Sequence, residues 1–159
     1  MDTSDKRDWK SDLEILFAEL TAAEKVYGTL VTADRYPHKR DYFKHRHFQY
    51  TTFAKILKDE YFAITDRQPA ANAGDDYNRI FRPTEELLLE RPMTDTEADA
   101  LIIKVEKRLI TKYQELLSFN ELPNTTNAIL QSQAEELNNE WQKLKTNLQI
   151  KVHEDSKSL

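Results

Sequence analysis

Glycine is scarce in this chain, since Gly28 and Gly74 are the only two among its 159 residues. A β-sandwich or barrel needs many tight turns, and a phosphate-binding loop needs several clustered glycines. Neither can be built from this sequence, so helix remains. A chain of this length fits one domain that buries roughly 68–70% of its unfolded surface. The sequence therefore predicts an all-α fold.

Composition excludes several further classes of protein. Charged residues make up 32% of the chain and the net charge is -5, with a mean hydropathy of -0.76. No window reaches the roughly 18 consecutive apolar residues that a transmembrane helix needs. Because the chain has no cysteine, disulfides, thiolate metal sites and cysteine nucleophiles are excluded as well.

Residues 1–10 are predicted to form an N-terminal extension ahead of the first helix. They mix acidic and basic side chains around Trp9 and lack the apolar stretch of a secretory signal. We therefore expect a cytoplasmic protein that does not associate with membranes. The sequence pI near 5.4 also disfavours attraction to nucleic acid or anionic lipid.

Apolar residues recur at alternating steps of four and three, the spacing of one helix face, in the first half of the chain. Ser11 and Glu14 have the spacing of a capping box and predict the first helix start. Pro37 is placed to open a second helix, which continues to about Tyr61. The short connection makes the two helices antiparallel neighbours. Their stripes are Leu13, Phe17, Leu20, Glu24, Tyr27 and Val31, then Phe43, His47, Tyr50, Ala54, Leu57 and Tyr61.

Turn residues and prolines dominate residues 63–93, which predicts a long crossover. Thr84–Glu90 has the pattern of one or two helical turns within it. Thr94 and Glu97 form a second capping-box spacing and open a third helix. A fourth follows Pro123. The expected product is an antiparallel four-helix bundle over residues 11–150, with a flexible tail at 151–159.

Polar residues interrupt the stripes of three helices: Glu24 on the first, His47 on the second and Glu106 on the third. A buried carboxylate must be paired, hydrogen-bonded, protonated or metal-bound, because an isolated buried charge is very costly. These three residues are the candidate ligands if the bundle holds a metal with a reduced ligand set.

A complete di-iron or di-manganese bundle needs a Glu-x-x-His pair on each of two helices, in addition to one Glu from each of the others. Lys44, not glutamate, lies three residues before His47, and the fourth helix has no histidine. Because half the ligand set is missing, we expect no metal and no cofactor. We expect in its place a buried hydrogen-bond network of Glu24, His47 and Glu106 with one another or with Tyr27, Tyr50 and Tyr113.

Basic and aromatic residues alternate at the start of the second helix, a mixture that can hold nucleic acid through phosphate contacts and base stacking. Asp34 and Asp41 dilute this charge, and the whole chain is acidic. We therefore expect a solvated helix face and no nucleic-acid binding. The basic residues are Arg35, Lys39, Arg40, Lys44 and Arg46.

Several segments of this sequence together form a familiar pattern: Ala23–Tyr27, Tyr42–Phe43 through Phe53–Ala54, Val105–Glu106, Tyr113–Leu116 and Leu122–Pro123. In these segments the chain resembles a family of uncharacterised bacterial proteins with a ferritin-like four-helix bundle. The resemblance implies that fold, dimerisation and no established activity. Carried over to this sequence, the ferritin-type ligands retain Glu24 and Glu106, while the second and fourth helices depart from Glu-x-x-His. That departure counts against ferroxidase activity or iron storage.

The resulting hypothesis is a non-catalytic bundle that binds a protein partner or forms a homodimer. No Gly-x-Ser-x-Gly motif supports nucleophilic catalysis, and no small-molecule substrate is identified. The alternative is a metal-dependent, di-iron-type oxidoreductase that uses Glu24, His47 and Glu106. Apolar residues of the crossover are expected to cover the bundle or contact a second copy; they are Tyr77, Ile80, Phe81 and Leu87–Leu89.

Overall fold

The computed structural model describes residues 8–69, 79 and 81–157. Within those ranges the chain forms five α-helices and one short 3₁₀ turn, with no strand, which confirms the all-α prediction. No helix of the described part is long and apolar enough to cross a membrane. The helices are α1 (Trp9–Ala33), α2 (Arg40–Thr65), α3 (Arg82–Glu90), α4 (Asp95–Leu117) and α5 (Asn124–Lys157).

The start of α1 differs from the prediction at Ser11. Asp8 is the N-cap, and its carboxylate accepts a hydrogen bond of 3.1 Å from the backbone N–H of Lys10. Glu14 does not complete a capping box with Ser11, because its carboxylate accepts from the hydroxyl of Tyr61 on α2. Two capping signals therefore stand close together in this sequence, and the earlier one begins the helix.

Aspartates supply the backbone conformation that glycine usually supplies at helix ends. Asp34 and Asp66 follow α1 and α2 with φ of 52° and 57°, the left-handed region. Each donates its N–H back to a carbonyl of the last helical turn. Aspartate tolerates this region better than most residues, so the chain ends two long helices without using either of its glycines. A 3₁₀ turn at Pro37–Lys39 then leads into α2.

The first two helices form an antiparallel hairpin, as the short connection predicts. Glu14 near the start of α1 meets Tyr61 near the end of α2. Further along, the carbonyl of Glu24 meets His47.

The last two long helices form a second antiparallel hairpin. The indole N–H of Trp141 donates to the carbonyl of Ile103 at 2.9 Å, and Tyr113 donates to Gln133 at 2.6 Å. The Thr94–Glu97 capping box is present, as predicted, and begins α4. At its far end α5 continues through residue 157, into the segment for which the sequence predicts a tail.

The two hairpins pack on each other through two pairs of helices, α1 with α4 and α2 with α5. The short helix α3 lies over α1 and α4. Phe81 and Leu88, at its start and near its end, are each 1% exposed, so these crossover residues cover the core. Tyr77 and Ile80 lie outside the described residues. The remaining core comes from one face of every long helix, with Leu16, Leu20, Leu57, Ala98 and Leu130 fully enclosed.

Candidate functional site

The centre of the packed helices holds a charged side chain. Arg46 is on the inner face of α2, three residues after Phe43 and four before Tyr50, and is 0% exposed. Residues at this spacing share one helix face, so Arg46 points inward with the two aromatic residues. A buried guanidinium keeps its charge and needs acceptors for all of its N–H groups.

The guanidinium of Arg46 has acceptors on three helices. Its Nη2 donates to Glu106 Oε2 on α4 at 2.6 Å. Its Nη1 donates to Gln49 Oε1 at 2.6 Å and also to Glu140 on α5. Its Nε donates to the Tyr42 hydroxyl at 3.2 Å. Arg46 is therefore bound from both hairpins at once.

The second oxygen of Glu106 is shared by three tyrosines. Tyr27, Tyr42 and Tyr50 direct their hydroxyls at Oε1 from 2.5, 3.1 and 3.5 Å. Glu106 is 1% exposed. Both carboxylate oxygens are consequently engaged, one by a cation and the other by hydroxyl groups, and the charge of Glu106 is compensated inside the core.

Aromatic rings surround the ion pair. Tyr27 and Tyr50 stack with ring centroids 5.5 Å apart. The Arg46 guanidinium carbon lies 5.5 Å from the ring centroid of Tyr42 and 5.7 Å from that of Tyr50. Such cation–π contacts strengthen when water is excluded. The rings thus contribute to holding the guanidinium in addition to its hydrogen bonds.

Ionisation of the cluster follows from its burial and charges. Burial, together with the neighbouring Glu106 carboxylate, raises the pKa of Tyr27 and of Tyr50 well above the ordinary value. Burial alone would lower the pKa of Arg46, but Tyr50 and Glu106 beside it raise that pKa above its ordinary value. The phenols therefore stay neutral donors and the guanidinium stays charged.

Hydrogen bonds continue from this core to the surface between α2 and α5. Gln49 Nε2 donates to Glu136 Oε1 at 3.0 Å. The other oxygen of Glu140 is 2.7 Å from Nε2 of His45, whose side chain is 56% exposed. We call the side chains of Tyr27, Tyr42, His45, Arg46, Gln49, Tyr50, Glu106, Glu136 and Glu140 the central network.

The three residues proposed from the sequence are not brought together. Glu106 lies in the central network, as expected for a buried carboxylate, and bonds Tyr27 and Tyr50. His47 lies at the outer edge between α1 and α2, where its Nδ1 is 2.9 Å from the carbonyl oxygen of Glu24. The Glu24 carboxylate is partly exposed and lies outside the central network.

Arg46, the residue at the centre, is not among the site residues that the sequence predicts, because the basic pattern at the start of α2 predicts a solvated position for it. Phe43, Arg46 and Tyr50 also follow steps of three and four. Spacing on α2 therefore fits either Arg46 or His47 as the inward polar residue. The structure buries Arg46, because Glu106 and Glu140 are available to pair with the guanidinium.

The resemblance to ferritin-like proteins makes a metal site worth testing against this geometry. Within the described part of the chain, no group of three or more His, Cys, Asp or Glu side chains is placed to hold a metal ion. A metal at Glu106 would have to displace Arg46 from one oxygen and the tyrosine hydroxyls from the other. The residues present therefore do not fit a ferritin-type metal pair.

The basic residues at the start of α2 are mostly engaged within the protein. Arg46 is buried in the central network, and Lys39 is 9% exposed and pairs with Asp99. Arg40 lies 3.4 Å from Asp34. Three of the five basic residues that the sequence places there are thus paired with carboxylates.

Comparison with known proteins finds no match: no protein-family model, no curated protein and no solved structure is significantly similar to this chain. Function is therefore inferred from the geometry of its own residues.

We expect Glu106→Gln to destabilise the fold by about 3–5 kcal/mol, because Arg46 would lose its fully buried counter-charge. The change should appear as a lower urea midpoint in chemical unfolding. Glu86→Gln is the matched control, since Glu86 pairs with Arg82 on the surface with both side chains more than half exposed. Its cost should stay below about 1 kcal/mol. Equal effects of the two substitutions would contradict a central role for the buried pair.

We expect the protein to lose stability as the pH rises above about 10. The buried Tyr27, Tyr50 and Tyr113 have pKa values raised well above normal. Their contribution is complete at lower pH and is lost at higher pH, because the unfolded chain ionises first. Tyrosinate absorbance should therefore rise in two steps, the later one together with loss of helical circular dichroism. Tyr27→Phe should reduce the later step; ionisation of every tyrosine with the helices intact would contradict this.

Proposed function

We propose that this chain is a non-catalytic helical bundle that acts by binding a partner or assembling with itself, in the cytoplasm. The observation that carries the proposal is that the polar groups at the centre of the network are already hydrogen-bonded within the protein. Arg46 and both oxygens of Glu106 are bound by protein groups, so neither offers a free ligand or proton acceptor to a substrate. A reacting site needs such groups accessible, whereas a structural ion pair needs them satisfied.

We further propose that the four long helices form a ferritin-like bundle. The support is their connectivity: two antiparallel hairpins, with α1 against α4 and α2 against α5. In this arrangement α2 and α4 run in the same direction, so the chain between them must return along the length of the molecule. The position of α3 across α1 and α4 agrees with that return path.

The support for binding or assembly comes from apolar side chains that the packed helices leave exposed. Phe48 on α2 is 71% exposed, and Ile150 and Val152 near the end of α5 are 50% and 51% exposed. Single exposed apolar residues are common, but a large aromatic ring that is mostly exposed to water contributes favourable free energy when a partner buries it.

Metal content tests the non-catalytic part of the proposal. Protein purified without chelators and then incubated with iron(II) or manganese(II) should retain no stoichiometric metal after desalting, and iron(II) should be oxidised no faster than in buffer. Bound metal at one or more ions per chain, lost in Glu106→Gln but kept in Glu86→Gln, would favour a metal-dependent oxidoreductase and overturn the proposal.

Light scattering across a range of protein concentrations tests assembly. If assembly proceeds through the ring of Phe48, the mass should rise with concentration, and Phe48→Ser should reduce that rise whereas Phe62→Ser should not. Phe62→Ser is the matched control on the same helix, at a ring that is 46% exposed. A strict monomer at all concentrations would remove self-assembly and leave only binding of another molecule.

A further inference from the structure

An open groove lies on the outer surface between α1 and α2, away from the central network. It has a volume of about 800 Å³. The titratable side chains that line it are all basic: Lys25 from α1, and Lys44 and His47 from α2. Its remaining lining is small, apolar or hydroxyl-bearing, and is contributed by residues 28–33 of α1. A surface of this composition attracts an anion that also carries an apolar part.

The imidazole of His47 is fixed at the floor of the groove. Its Nδ1 donates to the carbonyl oxygen of Glu24 at 2.9 Å, which fixes the tautomer of the neutral ring and its orientation. Its Nε2 has no hydrogen-bond partner in the described part of the chain, so it is left for a ligand. An imidazole held in this orientation presents its open nitrogen to a molecule in the groove.

Gly28 allows this position of the ring. A Cβ at residue 28 would lie 3.2 Å from two atoms of the His47 ring, closer than ordinary contact. Glycine inside a helix costs about 0.5–1 kcal/mol relative to alanine. One of the two glycines in the chain is therefore placed at a position where it weakens α1 and admits His47.

The surroundings of the groove favour a small anion over a long polyanion. The groove spans residues 25–33 of α1, about 12 Å of helix. Glu24 adjoins Lys25, and Asp41 lies one turn before Lys44, so negative charge flanks the basic residues on both helices. A nucleic acid backbone would have to run past these carboxylates, whereas one compact anion would not.

We propose that this groove binds a phosphate monoester that carries an apolar group; the inference rests on the proposed binding function. A phosphate monoester has a charge of roughly -1.5 to -2 at neutral pH, which matches the two ammonium groups. Lys25 and Lys44 pair with the phosphate, and the open Nε2 of His47 accepts from the hydroxyl group of the singly charged monoester. The apolar group lies over Val31, with Phe48, one turn from Lys44, beside it.

Phenyl phosphate tests the inference by NMR, with the ring signals of His47 as the readout. We expect saturable shifts of these signals, weaker binding of inorganic phosphate and no binding of uncharged benzyl alcohol. Lys44→Gln should weaken phenyl phosphate binding about fivefold, as removal of one partly exposed charge contact does. Lys143→Gln, at an exposed lysine on α5, is the matched control and should bind like the unaltered protein.

Gly28→Ala separates the fixed histidine from general charge attraction. Alanine favours the helix, so α1 stays folded, but its Cβ shifts the His47 ring by a few tenths of an ångström. Phenyl phosphate binding should fall although every positive charge remains. Absence of saturable shifts, or equal affinity in the unaltered protein, Lys44→Gln and Gly28→Ala, would overturn the inference. Either result would leave the metal and light-scattering tests of the proposed function unaffected.

Discussion

The guanidinium of Arg46 stays protonated and is fully buried. The rest of the structure is arranged to compensate that charge. Carboxylates approach it from α4 and α5, and a glutamine and two tyrosine rings approach it from its own helix. Because hydrogen bonds to a buried ion are demanding in direction, the four long helices must adopt one register along their axes. Apolar packing alone would tolerate neighbouring registers far better.

The same network accounts for how the charge of Glu106 is compensated inside the core. In a metal-binding bundle, inward carboxylates converge and a cation from solution neutralises them. Here a cation of the chain itself, the Arg46 guanidinium, takes that part, and tyrosines engage the remaining oxygen of Glu106. The polar centre and the outer groove at His47 are therefore separate features: the first maintains the fold, and the second is open to a ligand.

The sequence predicts most of the helices because their signals are local. The capping box of Thr94 and Glu97 marks a helix start, and helical spacing places Phe43, Leu57 and Leu109 on buried faces. The sequence does not decide between overlapping stripes on α2. Burial of Arg46 depends on Glu106 and Glu140, which are 60 and 94 residues away along the chain. The spacing of residues within one helix contains no information on such distant partners, so it does not predict that Arg46 lies at the polar centre.

The division of charge between the hairpins also sets an order of events during synthesis. The first hairpin contains Arg46, whereas Glu106 and Glu140 belong to the second. When α1 and α2 leave the ribosome, neither carboxylate that pairs with Arg46 has yet been made. The guanidinium therefore stays in water until the second hairpin covers it, because burial without a counter-charge is costly. The native surroundings of Arg46 form only when α4 and α5 are present.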